Sequence, residues 1–100
     1  MIAGFHASPR LADALLLRAR VISRTEGRSA AASWLESRAK SGTASFKATL
    51  LHAAANHRWN ADEDDRALAD FERVIALKVG GRLTQESHYS IGRIHESHQR

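Results

Sequence analysis

Three histidines near the C-terminus, His88, His95 and His98, share one helical stripe with Ile91, and imidazoles so placed could ligate a metal. His95 and His98, three positions apart, have the spacing of two ligands to one ion. His88 does not join them, because seven residues of helix separate side chains by about 10 Å, too far for one ion. Metal binding is therefore set behind packing or plain exposure. The run Asp62-Glu63-Asp64-Asp65 has the charge of a cation loop. It lacks the alternating ligands and the glycine of an EF-hand and reads as a helix start. Serine and histidine are plentiful, yet no G-x-S-x-G or H-E-x-x-H frames them, and the glycines form neither G-x-G-x-x-G nor a P-loop. With no cysteine, thiolate sites and disulfides are excluded. The expectation is a protein that binds rather than catalyses, with no catalytic residues, metal or cofactor.

Arginine is the other residue type placed to do something. Arg10, Arg18, Arg20, Arg24 and Arg28 cluster on and just past the first predicted helix, and Arg20, Arg24 and Arg28 form an i, i+4 row that could follow phosphates. Through Arg58 the chain has nine basic side chains against three acidic ones; beyond it, six against eight. Such polarity suits an acidic partner for the first half, or head-to-tail association of two copies. A solvated arginine face is the first reading, and a basic helical nucleic-acid-binding domain is the competing class.

The elements that must position these side chains are all helical. One hundred residues, 43% of them apolar but only six aromatic, make a single domain over 1–100 with a core of Leu, Ile, Val and Ala. Ser8-Pro9 is a start signal, and Leu11, Leu15, Ala19 and Ile22 trace one face until Gly27. A second helix is expected from about 29 to 40, stopped by Gly42, and a third from about 44 to 58. Asn60 and Glu63 have the spacing of a capping box for a fourth, whose Ala67, Leu68, Phe71, Val74 and Ile75 face a core. Gly80-Gly81 closes it, and Thr84 is expected to open a fifth. No stretch alternates with period two, so no strand is predicted. Short connections make consecutive helices antiparallel: a hairpin over 10–41, a hairpin over 44–79 and a terminal helix over 84–98. No apolar run approaches the roughly 20 residues of a membrane span, and residues 1–8 lack the pattern of a secretory leader, so the expected location is the cytoplasm.

The turns at Gly27-Arg28 and Asn60-Ala61 lie 33 residues apart, and similar helices follow them, Ala31…Leu35-Glu36 and Ala67…Phe71-Glu72. A period near 34 is the mark of a helical-hairpin array. Residues 66–77 resemble the second helix of a tetratricopeptide repeat (TPR), with Ala67 at its small position and Phe71 at its large one. Tyr89-Ser90-Ile91-Gly92-Arg93-Ile94-His95 is similar to the first helix of a following repeat, its Ile91-Gly92 standing at the family's Leu-Gly pair. The resemblance covers roughly 11–98, about two and a half repeats. Val79 replaces a frequent proline, the Gly80–Gln85 connection is about three residues too long, and Arg20 and Ala55 occupy glycine slots.

The resemblance implies a stacked array that acts as a scaffold, holding a peptide or protein surface in a groove lined by first helices. It points His52, Asn56 and Trp59, with Tyr89 and Arg93, toward that groove. Asn56 matches a family position that hydrogen-bonds peptides, but His52 stands where its lysine companion would be, so that specific preference is not carried over. It also places His88 and His95 at slots of packing aromatics. Were they buried and neutral, protonation at about pH 5–6 would loosen the last helix. Ile91 and Ile94 lack an obvious cover, which points to a capping role, self-association through the terminal helix, or a chain that is a fragment of a longer TPR-containing protein with no independent activity.

Overall fold

Five helices follow one another in the computed structural model, which describes residues 9–98: α1 (Pro9–Glu26), α2 (Arg28–Arg38), α3 (Ala44–Asn60), α4 (Asp64–Ala76) and α5 (Gly81–His98). No strand occurs among the described residues. No helix there is long and apolar enough to cross a membrane. Ser8, the expected cap of α1, lies outside the described residues. Gly27 alone separates α1 from α2, at φ +102°. A chain reversal in one residue needs that left-handed backbone, which glycine adopts without a Cβ penalty. At the next turn Phe46 N–H donates to Thr43 Oγ1 at 3.1 Å, capping α3.

Two expected helix starts are displaced. Asn60 does not cap α4, because α3 continues to it and closes in a Schellman turn. Glu63 N–H donates to Arg58 O at 2.8 Å and Asp62 N–H to Trp59 O at 3.0 Å, with Asp62 at φ +62°. Glu63 becomes the residue before α4, and its side chain caps nothing. Asp64 and Asp65 do occupy the first turn, where the helix dipole favours them. Since an aspartate is held in the left-handed region at 62, Asp62→Gly is expected to add about 0.5–1 kcal/mol, read as a shifted urea midpoint at unchanged slope. The second displaced start is that of α5, which begins at Gly81 rather than Thr84. Thr84 Oγ1 already sits inside the first turn, donating to Gly80 O at 3.2 Å. The link between α4 and α5 is therefore only residues 77–80, and the excess length expected there is absent.

The helices stack in order. α1, α3 and α5 lie side by side, α2 packs on α1 and α3, and α4 packs on α3 and α5. The array spans 53 × 33 × 17 Å, one or two helices thick in its thinnest direction. α3 touches all four other helices, which is why its apolar residues are not confined to one stripe. Ala31, Ala48, Ala54, Ala55 and Ala67 have no exposed surface, and these small side chains let neighbouring helices approach closely. One core cluster joins the two hairpins through Leu35, Leu50 and Val74. A second sets Ile94 of α5 against Ala55, Ala67 and Phe71.

Ile94 is thus fully buried and Ile91 packs on the same cluster, so the apolar side expected to lack a cover is covered by α4 and α3. Burial also repeats along the chain at an offset of 36, not the expected 33: Ala31 with Ala67, Leu35 with Phe71, Ala54 with Ser90, Arg58 with Ile94. The helix starts at Arg28 and Asp64 keep the same offset. The turn residues misled the count because Asn60 and Ala61 belong to the end of α3, ahead of the true junction at Glu63.

Candidate functional site

The five residues expected to line a groove stand on two helices in contact, His52, Asn56 and Trp59 on α3 and Tyr89 and Arg93 on α5. His52 is half-buried, its ring edge-on to Phe71 at 5.8 Å and its Nε2 3.4 Å from Glu86 Oε1 of α5. This contact ties α3 to α5. Trp59 also meets Phe71 edge-on, at 6.3 Å, and belongs to the second core cluster. Tyr89 and Arg93 are exposed and engage each other, with Arg93 Nη1 donating to Tyr89 Oη at 2.8 Å and the guanidinium 5.7 Å from the ring centre. That hydrogen bond raises the Arg93 pKa. Asn56, its Nδ2 3.5 Å from His52 Nδ1, stands one turn further along the same face of α3, on the side toward α1.

There it lines a cleft of about 490 Å³ between α1 and α3, with Asp13, Leu16, Leu17, Arg20, Ala53 and His57. The walls are apolar at Leu16, Leu17 and Ala53, and the ends carry opposite charge, Asp13 at one and Arg20 at the other. A smaller pocket of about 260 Å³ adjoins it, sharing Arg20 and His57 and adding Ser23, Arg24 and Arg28. Burial lowers the pKa of His57, and the charges of Arg28 and Arg20 lower it further, so its imidazole is neutral at pH 7. Burial lowers His52 as well, against the opposing pull of Glu86. Sequence reasoning placed the arginine row but not the cleft beside it. The missed signal is the repeat register: Arg20 and Leu16 stand 36 residues before Asn56 and His52.

His88 and His95 are exposed rather than packed, so the expected loosening of the last helix by their protonation loses its basis. His98 Nε2 lies 2.7 Å from Asp64 Oδ2, tying the end of α5 to the start of α4. Among the described residues, no group of three or more His, Asp or Glu converges well enough to hold a metal ion.

Neither a family model, nor a curated protein, nor a solved structure matches this chain.

A buried polar network, invisible in the sequence, occupies the opposite face. Arg58 is 4% exposed. Its Nε and Nη2 grip both carboxylate oxygens of Glu36 at 3.1 and 2.8 Å, Nη1 reaches Glu63 Oε1 at 2.8 Å, and Nη2 reaches Ser33 Oγ at 3.1 Å. Ser29 Oγ closes the ring on Glu63 Oε2 at 2.7 Å. Burial alone would raise the Glu36 pKa, but the hydrogen bonds of Arg58 hold it below the usual carboxylate range; Glu63 is lowered by Arg58 and then by Ser29. Beside them Asp70 is fully buried, with Oδ1 accepting from Arg73 Nη1 at 3.1 Å and Oδ2 lacking a donor. Burial, then the neighbouring Glu36, pushes its carboxyl up to about 8. It is therefore protonated at neutral pH. Arg58, Glu36, Ser33, Glu63 and Ser29 hold α2, α3 and the start of α4 together, which makes the network a structural brace.

Proposed function

We propose that this chain is a protein–protein interaction module: a TPR-like array of helical hairpins that holds a peptide segment in the cleft between α1 and α3. The single observation that carries this reading is that cleft, about 490 Å³, apolar in its walls and polar at both ends, at the junction of successive hairpins. Pockets of this size and lining suit a few side chains of an extended or helical segment. The stacking order and the buried Ala67 and Phe71 support the likeness to that family, while the 36-residue register departs from its 34. The titratable groups along the cleft, Asp13, Arg20 and His57, suit the recognition of a charged segment.

Selection of displayed peptides on the folded chain tests the reading. Enriched peptides are expected to lose binding to Ala53→Trp, which fills the cleft, and to keep it with Glu72→Ala on exposed α4 surface. Peptides that bind Ala53→Trp unchanged but lose Tyr89→Ala would move the groove to α5 and defeat it.

A further inference from the structure

We infer that the end of this cleft built by Arg20, Arg24, Arg28 and His57 is a site for an anionic group, a carboxylate or phosphate, carried on a peptide whose apolar side chain lies over Leu16 and Ala53. The inference rests on the peptide-groove reading and adds a charge and a direction to the ligand.

Three guanidinium groups line one pocket of about 260 Å³, and none of them has a carboxylate within 4.0 Å among the described residues. Several acids elsewhere have their own cations: Glu36 and Glu63 pair with Arg58, Glu86 with His52 and Arg82, Glu96 with Arg93. Like charges gathered around a cleft repel one another, and an anion between them removes that repulsion while meeting planar forks suited to carboxylate or phosphate oxygens. Ser23 adds a hydroxyl donor to the same wall. The adjoining cleft is apolar and then reaches Asp13, whose carboxylate sets the opposite sign at the far end. A ligand is thereby oriented, with its anion toward Arg28 and any cationic group toward Asp13. A nucleic-acid strand, with a phosphate at every nucleotide, would lay apolar wall and Asp13 against further negative charge. An acidic peptide with one apolar anchor fits both ends.

His57 makes binding sensitive to pH. The groups facing it are Arg20 and Arg24 of α1, Arg28 of α2 and, along the adjoining cleft, Asp13 and Asn56. Neither α4 nor α5 contributes a lining residue to either pocket. Burial lowers the imidazole pKa first and the charges of Arg28 and Arg20 lower it further, and an anion seated among the arginines opposes that second effect. Binding then takes up a proton, and affinity rises as pH falls toward the usual histidine range.

The test is an amide-shift titration of the full chain at low salt with three acetylated peptides, Leu-Ala-Glu-Glu, its phosphoserine counterpart Leu-Ala-pSer-Glu, and the uncharged Leu-Ala-Gln-Gln. Both anionic peptides are expected to perturb amides in 16–28 and 53–57 and to bind on the order of tenfold tighter than the glutamine peptide. The tighter of the two names the preferred group. For the glutamate peptide the margin widens from about pH 7.5 to 5.5, and His57→Asn removes that widening. Arg24→Gln with Arg28→Gln, both at exposed positions, abolishes the margin with helicity retained. Equal binding of all three peptides at these amides overturns the anionic site and leaves the groove reading standing. No perturbation of these amides by any peptide overturns both. Tighter binding of oligouridylate at the same amides overturns the choice of a peptide partner.

Discussion

Asp70→Asn is expected to stabilise the protein, by an amount that grows with pH. The wild-type carboxyl, fully buried against Glu36, titrates at about 8 when folded and near the ordinary aspartate value when unfolded. Between those values the folded state holds a proton that the unfolded state has lost. Stability from this group is therefore fully present below about pH 4 and falls as pH rises to about 8, where it levels off. Asparagine presents an amide N–H toward Glu36 at every pH and keeps an oxygen for Arg73, so the variant escapes that loss. The gain is expected to be near zero at about pH 4 and ~2–4 kcal/mol at about pH 8, the upper end discounted for relaxation and water entry. Thermal melts would show it as a midpoint difference on the order of 10–20 °C at the alkaline end. His52 and His57 act with the opposite sign. Their lowered folded pKa values mean stability that is present above the ordinary histidine value and lost as pH falls through it. A variant curve that merely runs parallel to the wild type from pH 4 to 8 would show that Asp70 is ionised throughout.

Arg58→Ala is expected to be the most damaging single change, costing about 3–5 kcal/mol, a large share of what a domain of this size has. The guanidinium makes four hydrogen bonds to three side chains on two other segments. Without it, Glu36 faces Asp70 and Glu63 with no compensating cation at their centre. The cost arises from the stranded carboxylates and not from the loss of an ion pair as such. That distinction is measurable, because the repeat register puts Ile94 of α5 and Ile22 of α1 at the positions equivalent to Arg58. Arg58→Ile combined with Glu36→Gln and Glu63→Gln is expected to recover most of the loss in urea unfolding. If the triple variant is no more stable than Arg58→Ala, the network contributes through its charges and not through filling the space.

Helices announce themselves locally. The Leu and Ala spacing of α1, the acids in the first turn of α4 and the glycines at 27, 42 and 80 report φ/ψ preferences and burial within one or two turns. The antiparallel order follows from the short connections. The candidate surface was harder to read. The arginine row is plain in the sequence, but Arg20, Asn56 and His57 line one cleft only because α1 and α3 lie side by side. Asn60 was misjudged because Asx residues suit a helix start and a helix end alike, and the choice fell to the Schellman turn at Asp62. His88 and His95 sit at positions that a sequence cannot mark as covered or open. Their exposure depends on Ser87, Ser90 and Ile94 being the face of α5 that turns inward.

By itself the sequence determined five helices, their antiparallel order and the basic character of the first half, since each depends on neighbours within a few residues. Only the tertiary structure decided that Arg58, Glu36 and Asp70 would be buried together, that the C-terminal histidines would stay outside, and that the cleft would open beside α1. Those outcomes depend on which faces of helices some 36 residues apart come into contact, and burial is a property of the pair of faces, not of either strand of sequence alone.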